Sequence, residues 1–392
     1  MVSNSSESKK LNWQQLLRDD RFWKIAFQVI TLALVILVLS YFLLNLRANL
    51  AQQGISFGFG FLSNQAGFSI GESVLEYRPN DPYGKALLVG LVNTITLVIA
   101  GILLATTAGI SAGVASFSKN WLVHKISRAY VGLIRNIPLL LQLFFWYFAV
   151  YGLLPRPQDQ LNLGNVIIGS NRGVYLPWPT SNGFLAWLAV LAGLAVAAFF
   201  VWQWRLKVIV EQGDSGQKQL FGLMAIGLAG LGIFLFALGW QPPTVQDGGG
   251  ATGGLRLSRE YVAALTALVF YTGAFIAEIV RAGIQSVSRG QWEAARSLGL
   301  TSGLSMRLVV FPQALRVIIP PLNSEFMNLA KNSSLAFAVA YPELYSIANT
   351  TFNQTGRPIE VFLILMATYL IINLMITLGM NTLNQSVQFK ER

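Results

Sequence analysis

The stretch that decides the fold is Gly290–Leu335, which reads GQWEAARSLGLTSGLSMRLVVFPQALRVIIPPLNSEFMNLAKNSSL. Ala294, Ala295 and Leu298 recur at helical spacing, so we expect them to share one side of a short helix. Gly299 follows at a position where helices commonly end in a left-handed residue, and the Thr-Ser pair after it can cap a second helix. The stretch therefore predicts a helix, a glycine elbow and another helix.

The spacing within this stretch resembles the EAA loop of permease subunits in bacterial ATP-binding-cassette (ABC) importers. The family pattern is EAA, three residues, glycine, nine residues and then I-x-L-P, whereas this chain has Val309 and Phe311 before Pro312. An ordinary amphipathic loop helix is the alternative, but the glycine and proline at these offsets favour the family. The resemblance implies a role in coupling to an ATPase for Glu293, Ala294, Ala295 and Gly299.

A second region supports the same resemblance. The segment Tyr130–Phe148 contains Arg135, Pro138 and Gln142, which fit the family's R-x-x-P-x-x-x-Q region. Together with GQWEAARSLGL, FPQALR and LAKNSSL, this segment resembles the polar-amino-acid branch, which includes histidine, glutamine and general L-amino-acid permeases. The resemblance covers about residues 86–153 and 261–385.

Composition places the chain in a membrane. Of its 392 residues, 54% are hydrophobic and 11% are charged, with a mean hydropathy of +0.53, whereas soluble domains carry about 25% charged residues. The net charge of +11 is scattered over short loops, which indicates orientation in a membrane and not nucleic-acid binding. The absence of cysteine and the single His124 argue against thiolate, zinc or triad chemistry.

We predict an all-α polytopic membrane protein with eight spans, each long enough to cross ~30 Å of hydrocarbon. The predicted spans are residues 24–46, 86–116, 138–153, 183–204, 219–240, 261–283, 317–340 and 361–381. The resemblance implies a type I importer core of five spans, the second, third, sixth, seventh and eighth, with three additional ones. The chain then divides into an N-terminal tail with an extra span and external loop, a first core part, inserted loops with two extra spans, and a second core part with the coupling loop. Those regions are residues 1–85, 86–153, 154–260 and 261–392.

We expect the segments between the spans to be loops. They are polar at 47–85 and 341–360, basic from Lys119 to Arg135, irregular at 154–182 and charged at 205–218. Residues 241–260 include GGGATGG, which lacks the Lys-Ser/Thr of a phosphate loop and indicates a flexible linker. Residues 11–23 are typical of an interfacial helix.

The positive charges predict the orientation. With the N-terminus inside, 19 of the 28 Lys and Arg residues lie on the inner side and 8 on the outer side, and Lys331 lies within a span. Because inner loops carry the excess of Lys and Arg, we expect both termini and the EAA loop to be cytoplasmic.

Charged and amide side chains within the spans mark a candidate path. Glu278 and Arg281 are three residues apart, so we expect a structural pair on one helix face. In the seventh span, Pro320-Pro321 is expected to interrupt the helix and to free backbone carbonyls. The polar run that follows faces either a substrate path or a second permease subunit, because such groups are costly in lipid. It comprises Asn323, Glu325, Asn328, Lys331, Asn332, Ser333 and Ser334.

The sequence contains no Walker A pattern, so ATP and Mg²⁺ are expected on a separate ATPase and no metal or cofactor on this chain. The resemblance implies a transport subunit and not an enzyme, in a bacterial inner membrane. Its expected partners are a second permease subunit that is a homologue (a heterodimer), a cytoplasmic ABC ATPase dimer, an extracytoplasmic binding protein, an amino acid and membrane lipid. The alternatives are an ion-gradient-driven secondary amino-acid transporter, which would need inverted repeats, and a membrane enzyme, which would need clustered catalytic groups.

Overall fold

The computed structural model describes residues 20–52, 57–164, 166–181, 183–212, 214–246 and 250–388. The chain divides into two compact units, Met1–Leu62 and Ser63–Arg392. In the first unit, helix α1 (Asp20–Gln52) contains an apolar stretch, Phe22–Phe42, long enough to cross a membrane. Residues 11–19 of the predicted interfacial helix lie outside the described part of the chain, and residues 20–23 belong to α1.

The second unit holds the remaining helices. Among the described residues of both units, seven helices, including α1, are long and apolar enough to span a membrane. The number of spans is eight if one bent pair of helices is counted as a span. The membrane-spanning, helical fold is therefore confirmed. Its long helices are α2 (Tyr83–Ala115), α5 (Phe184–Gln212), α6 (Gln217–Gly232), α7 (Arg259–Gln285), α10 (Phe311–Asn332) and α12 (Pro358–Val387). The shorter helices are α3 (Trp121–Ile134), α4 (Leu139–Phe144), α8 (Arg289–Ser297), α9 (Ser302–Ser305) and α11 (Leu344–Thr355).

Helices α2 and α7 form the centre of the core through glycine contacts. A Cβ at Gly109 would lie 2.6 Å from Cβ of Ile276, and one at Gly113 would lie 2.7 Å from Cβ of Val280. Any larger side chain would therefore push the two helices apart. Two small residues four positions apart form the small-xxx-small motif, which lets membrane helices approach each other closely.

The predicted basic loop before the third span is wrong, because residues 121–134 form helix α3. Asn120 caps this helix by accepting hydrogen bonds from the backbone N–H groups of Leu122 and Val123. After α3 the chain turns sharply, and α4 continues through a wide π-helical turn to Tyr151. The two parts meet at 109°, so this span is broken at its Pro138.

The predicted interruption of α10 at Pro320-Pro321 is also wrong, since the helix runs through both prolines to Asn332. Each proline removes one intrahelical donor, so the carbonyls four residues earlier lose their partners while the helix geometry persists. The helix tightens only later, as a 3₁₀ turn over Ser333–Val339.

The predicted irregular loop at 154–182 and the predicted linker at 241–260 fold together. They contribute a four-stranded antiparallel sheet in the order β1 (Leu161–Leu163), β2 (Ile167–Ser170), β3 (Gly173–Leu176) and β8 (Leu255–Ser258). Two separate two-stranded sheets pair β4 (Trp178–Pro179) with β5 (Trp240–Gln241) and β6 (Thr244–Val245) with β7 (Ala251–Thr252). Residues 247–249 of the glycine run lie outside the described residues. The sheet forms by pairing between β3 and β8, which lie far apart in sequence. The hydrophobic periodicity within either segment alone does not reveal this pairing.

Two more predicted loops are largely helical. Most of the predicted loop at 205–218 belongs to α5, and Arg205 Nε donates to the carbonyl of Gly216 at 3.2 Å across the short turn before α6. Within 341–360, helix α11 begins where the Glu343 carboxylate accepts from the backbone N–H groups of Tyr345 and Ser346, both at 2.7 Å. A left-handed Gly356 ends α11 before α12 begins.

Candidate functional site

The EAA stretch forms the helix, elbow and helix that its sequence predicts. Helix α8 ends at Ser297, and Gly299 has a φ of +74°. The N–H of Gly299 donates to the carbonyl of Arg296 at 2.9 Å, and that of Leu300 donates to the carbonyl of Ala295 at 3.1 Å. These two bonds are a Schellman motif, which satisfies helix carbonyls only when the residue after the C-cap is left-handed.

Burial divides the loop differently from the prediction. Ala295 is 2% exposed and faces the core with the partly buried Trp292, whereas Leu298 is 80% exposed. Ala294, Ala295 and Leu298, which were expected to share one side of a short helix, thus differ in burial. The helix ends before Leu298, so its backbone turns away and carries the side chain outward. Glu293 and Ala294 are exposed as well.

The second helix of the elbow leads directly into a spanning helix. Thr301 is the N-cap residue of α9, as predicted, although its side chain makes no capping hydrogen bond. A wide π-helical turn over Met306–Val310 then joins α9 to α10. The elbow is thus joined to α10 by continuous helical backbone.

Helix α10 presents two unlike faces. Leu322, Phe326 and Leu329 are buried in the core. Asn328 and Lys331, together with Ser324, form an exposed polar stripe at spacings of three and four residues. Within the described ranges, the Lys331 ammonium makes no hydrogen bond or ion pair. Because a bare lysine within a span is costly in lipid, this stripe needs water, substrate or another subunit beside it.

The remaining residues of the predicted path are distributed around that stripe. Glu325, Asn332 and Ser334 are half-buried at its edge. Ser333 is fully buried and its hydroxyl donates to the carbonyl of Ala330 at 2.7 Å, so it faces the core. Asn323 is partly exposed, and its Oδ1 is buried without a hydrogen-bond partner among the described residues. The structure thus groups Asn328 and Lys331 but separates Ser333 from them.

A charged cluster that the sequence reasoning missed lies at the break between α3 and α4. Arg135 was expected in a loop, but its guanidinium lies 3.8 Å from the carboxylate of Glu278 and 5.0 Å from the ring centre of Phe275. The predicted pair of Glu278 with Arg281 is confirmed, with Arg281 Nε donating to Glu278 at 3.1 Å. Gln142 Nε2 donates to the carbonyls of Ile134 and Ile137, both at 2.9 Å, and so satisfies the broken backbone.

This cluster borders a cavity of about 170 Å³ between α2, α3 and α7. Its polar lining includes Arg128, Arg135, Glu278 and Arg281, so this side of the cavity suits water or an anion. The R-x-x-P-x-x-x-Q pattern was the one signal in the sequence that pointed to this break. In the described part of the chain, no three His, Cys, Asp or Glu side chains are grouped as a metal site requires.

Comparison with known proteins agrees with this geometry. Residues 220–389 match the family described as "Binding-protein-dependent transport system inner membrane component". That region includes the elbow, the polar stripe of α10 and the helices on either side. The matched region therefore contains the predicted coupling residues.

Relatives cover nearly the whole chain. It is 42% identical over 371 residues to the putative amino-acid ABC transporter permease YhdX of Escherichia coli, covering 93% of this chain and 94% of the relative. It is 38% identical over 387 residues to the general L-amino acid transport system permease AapQ of Rhizobium johnstonii, covering 97% and 96%. It is also 38% identical over 410 residues to the glutamate/glutamine/aspartate/asparagine transport system permease BztB of Rhodobacter capsulatus, covering 96% of each. The chain therefore belongs to the permease subunits of binding-protein-dependent amino-acid ABC importers, multi-pass inner-membrane proteins in which a separate subunit binds ATP.

Proposed function

We propose that this chain is one of two homologous but unequal permease subunits of an importer for L-amino acids, including polar and acidic ones. The observation that carries the proposal is the exposed elbow, in which a left-handed Gly299 follows Glu293, Ala294 and Ala295. The names of AapQ and BztB, which specify general L-amino acids and the acidic amino acids with their amides, support the substrate class.

The elbow is proposed to be the surface that the ATPase subunit holds. Leu298 is 80% exposed on a loop with exposed charged neighbours, and burying a leucine contributes about 1.5–3 kcal/mol. The Glu293 carboxylate beside it can accept hydrogen bonds from donors of the partner. Closure of the ATPase would then move α8 and, through the continuous backbone, α10.

The polar stripe of α10 is proposed to border the translocation path. The free ammonium of Lys331 is suited to the carboxylate of an amino acid, and Asn328 on the same stripe can donate and accept hydrogen bonds. A second permease subunit across the path would complete the enclosure. The resemblance to importers with unequal permeases supports a heterodimer.

The proposed orientation places both termini and the elbow in the cytoplasm. Lys125 and Arg128 lie in α3 and Arg135 lies at its C-cap, on the broken span and not in an inner loop, so these three no longer count as inner charges. The remaining 16 inner Lys and Arg residues still exceed the 8 outer ones. The positive-inside bias therefore supports the same orientation after this correction.

Co-purification in mild detergent tests the proposal. The affinity-tagged chain, co-expressed with the ATPase and the second permease subunit of the proposed importer, should retain the ATPase. Leu298→Gln should weaken that retention by about tenfold, which corresponds to about 1.4 kcal/mol. Leu153→Gln is the matched control, because Leu153 is 78% exposed but lies beyond the outer end of α4. Equal retention by both variants would show that the elbow is not the contact.

A further inference from the structure

An arginine-rich cavity lies where the inserted sheet meets the first turn of α7. Its volume is about 390 Å³, and its lining is Asn171, Arg172, Arg256, Arg259 and Glu260. In the proposed orientation, this end of α7 faces outside the cytoplasm. The cavity is separate from the elbow and from the polar stripe of α10.

Two glycines fix the walls of this cavity. Gly173 has a φ of +139°, and a Cβ there would lie 2.2 Å from the carbonyl oxygen of Leu257. Gly254 has a φ of +62°, and its Cβ would lie 2.2 Å from the carbonyl oxygen of Leu176. Only glycine fits such positions, so both ends of the β3–β8 pairing are fixed in register. Arg172 in the β2–β3 turn and Arg256 on β8 are thereby held at one cavity.

The charges of the cavity do not cancel. Arg259 lies 3.7 Å from the carboxylate of Glu260 and 4.1 Å from the ring centre of Tyr147, whose hydroxyl donates to Glu260 at 3.1 Å. These contacts neutralise Glu260. Arg172 and Arg256 are exposed, and neither makes an ion pair within the ranges that the structure describes. The Glu72 carboxylate acts electrostatically on Arg256 from beside the cavity. Three arginines still outnumber the two carboxylates, so the cavity keeps an excess of positive charge for an anion.

The cavity is connected to the elbow by a single helix. Ser258, the last residue of β8, caps α7 by accepting from the N–H of Tyr261 at 3.0 Å and also donates to the carboxylate of Glu72. Helix α7 then runs for 27 residues, about 40 Å at ~1.5 Å per residue. Helix α8 of the elbow starts four residues after α7 ends. A contact at the cavity therefore acts on the same rigid element that leads to the ATPase contact.

We propose that Arg172 and Arg256 receive Asp or Glu side chains of the importer's extracytoplasmic binding protein, and that this inserted sheet is its docking surface. The proposal rests on the orientation in the proposed function. Guanidinium groups bind carboxylates through paired, charge-assisted hydrogen bonds, and the polar, open cavity is unsuited to lipid chains. Exposed charges of this kind chiefly raise the association rate and make it dependent on salt.

Zero-length cross-linking tests the partner's chemistry. Arg256→Lys keeps the charge and adds a primary amine, which carbodiimide joins to a carboxylate within contact distance. In the complete complex in nanodiscs, Lys at this position should cross-link to the purified, substrate-loaded binding protein, and mass spectrometry should place the bond on an Asp or Glu. The control is Arg156→Lys, an exposed outer position outside the cavity. No more cross-linked binding protein than in the control would overturn the proposal.

Titration of stimulated ATP hydrolysis gives an independent readout. Arg172→Gln with Arg256→Gln should raise the concentration of binding protein for half-maximal stimulation by about tenfold and flatten its dependence on NaCl. Arg156→Gln should change neither. An unchanged half-maximal concentration would contradict the proposal, as would a shift that excess free glutamate alone reproduces. If the wild-type complex shows no stimulation by the binding protein, the proposed function fails instead, while the cross-linking result still decides on the docking surface.

Discussion

The backbone N–H of Leu300 donates to the carbonyl of Ala295 at 3.1 Å, so the chain turns within the four residues between them. This bond closes the elbow on the buried Ala295 and leaves Leu298 outside. It forms only because Gly299 has a positive φ. The shape of the proposed ATPase contact thus depends on one backbone conformation.

Gly299→Val should disrupt coupling. A side chain in the left-handed region costs about 1–2 kcal/mol, and more for a β-branched residue, so we expect stimulated ATP hydrolysis to fall at least roughly 5- to 30-fold. Combined with Glu293→Ala, it should abolish the stimulation. The measurement is ATP hydrolysis by the purified complex with and without binding protein.

The matched control for that change is Gly303→Val. Gly303 lies in α9 of the same loop without a positive φ, and a Cβ there meets nothing within 4 Å. The Gly303→Val complex should therefore retain most of the stimulation of ATP hydrolysis by the binding protein. If Gly299→Val and Gly303→Val behave alike, the left-handed elbow does not carry the coupling.

Lys331→Met should lower transport by about tenfold or more, because it keeps the stem and removes the charge that the polar stripe presents. Lys331→Arg should retain more activity, since the charge remains. Uptake of labelled glutamate, glutamine and a neutral amino acid, measured side by side, should show a shift in preference. A complex that fails to assemble would indicate a structural contact with the second subunit, and unchanged uptake would exclude both roles.

The orientation can be read with single cysteines, because the chain has none of its own. Val245→Cys, at a side chain that is 52% exposed, should react with an impermeant thiol reagent added to intact cells. Ser302→Cys in the elbow should react only after the membrane is opened. The reverse pattern would refute the proposed topology.

Glu343, which lies in the connection between α10 and α12, should make stability depend on pH. Burial raises the pKa of its carboxyl to about 8 from an ordinary value of 4.5, against the lowering effect of hydrogen bonds from Tyr345, Ser346 and Tyr369. The folded chain therefore holds a proton that the unfolded chain releases. The contribution of this proton to the free energy of unfolding is fully present below about pH 4.5 and is lost as the pH rises through about 8.

The Tm of the detergent-solubilised chain should accordingly fall between pH 6 and pH 9 by roughly 2 °C or more. Glu343→Gln cannot titrate, so its Tm should vary less over the same interval, whatever its absolute value. An equal slope in both proteins would mean that Glu343 is ionised throughout.

Local and motif signals in the sequence were enough for some of these features. The left-handed conformation of Gly299 was predictable because helix ends in that conformation favour glycine. The spans were predictable because a run of 18 or more apolar residues is typical of a transmembrane helix. The inserted sheet was not, since β3 and β8 are separated by more than 70 residues and neither is long enough to show alternation.

Three features were not predicted correctly because they depend on contacts or helix ends that only the folded chain defines. Arg135 was assigned to a basic loop that begins at Lys119, because several basic residues close together usually lie at an aqueous surface, and only the fold brings Glu278 within 3.8 Å of Arg135. Pro320-Pro321 was expected to break α10, but helices within membranes tolerate proline where neighbours support the backbone. The exposure of Leu298 likewise depends on where α8 ends, which a helical-wheel argument cannot determine to within one residue.

Uptake into proteoliposomes tests the central claim most directly. The complete purified complex is reconstituted with ATP and Mg²⁺ inside or outside the vesicles, and accumulation of radiolabelled L-glutamate is followed in the presence of binding protein. Accumulation should require the binding protein and ATP on the side of the elbow, should persist when ion gradients are dissipated, and should be lost with Gly299→Val. Accumulation that follows an ion gradient without ATP would contradict the account and would indicate a secondary transporter.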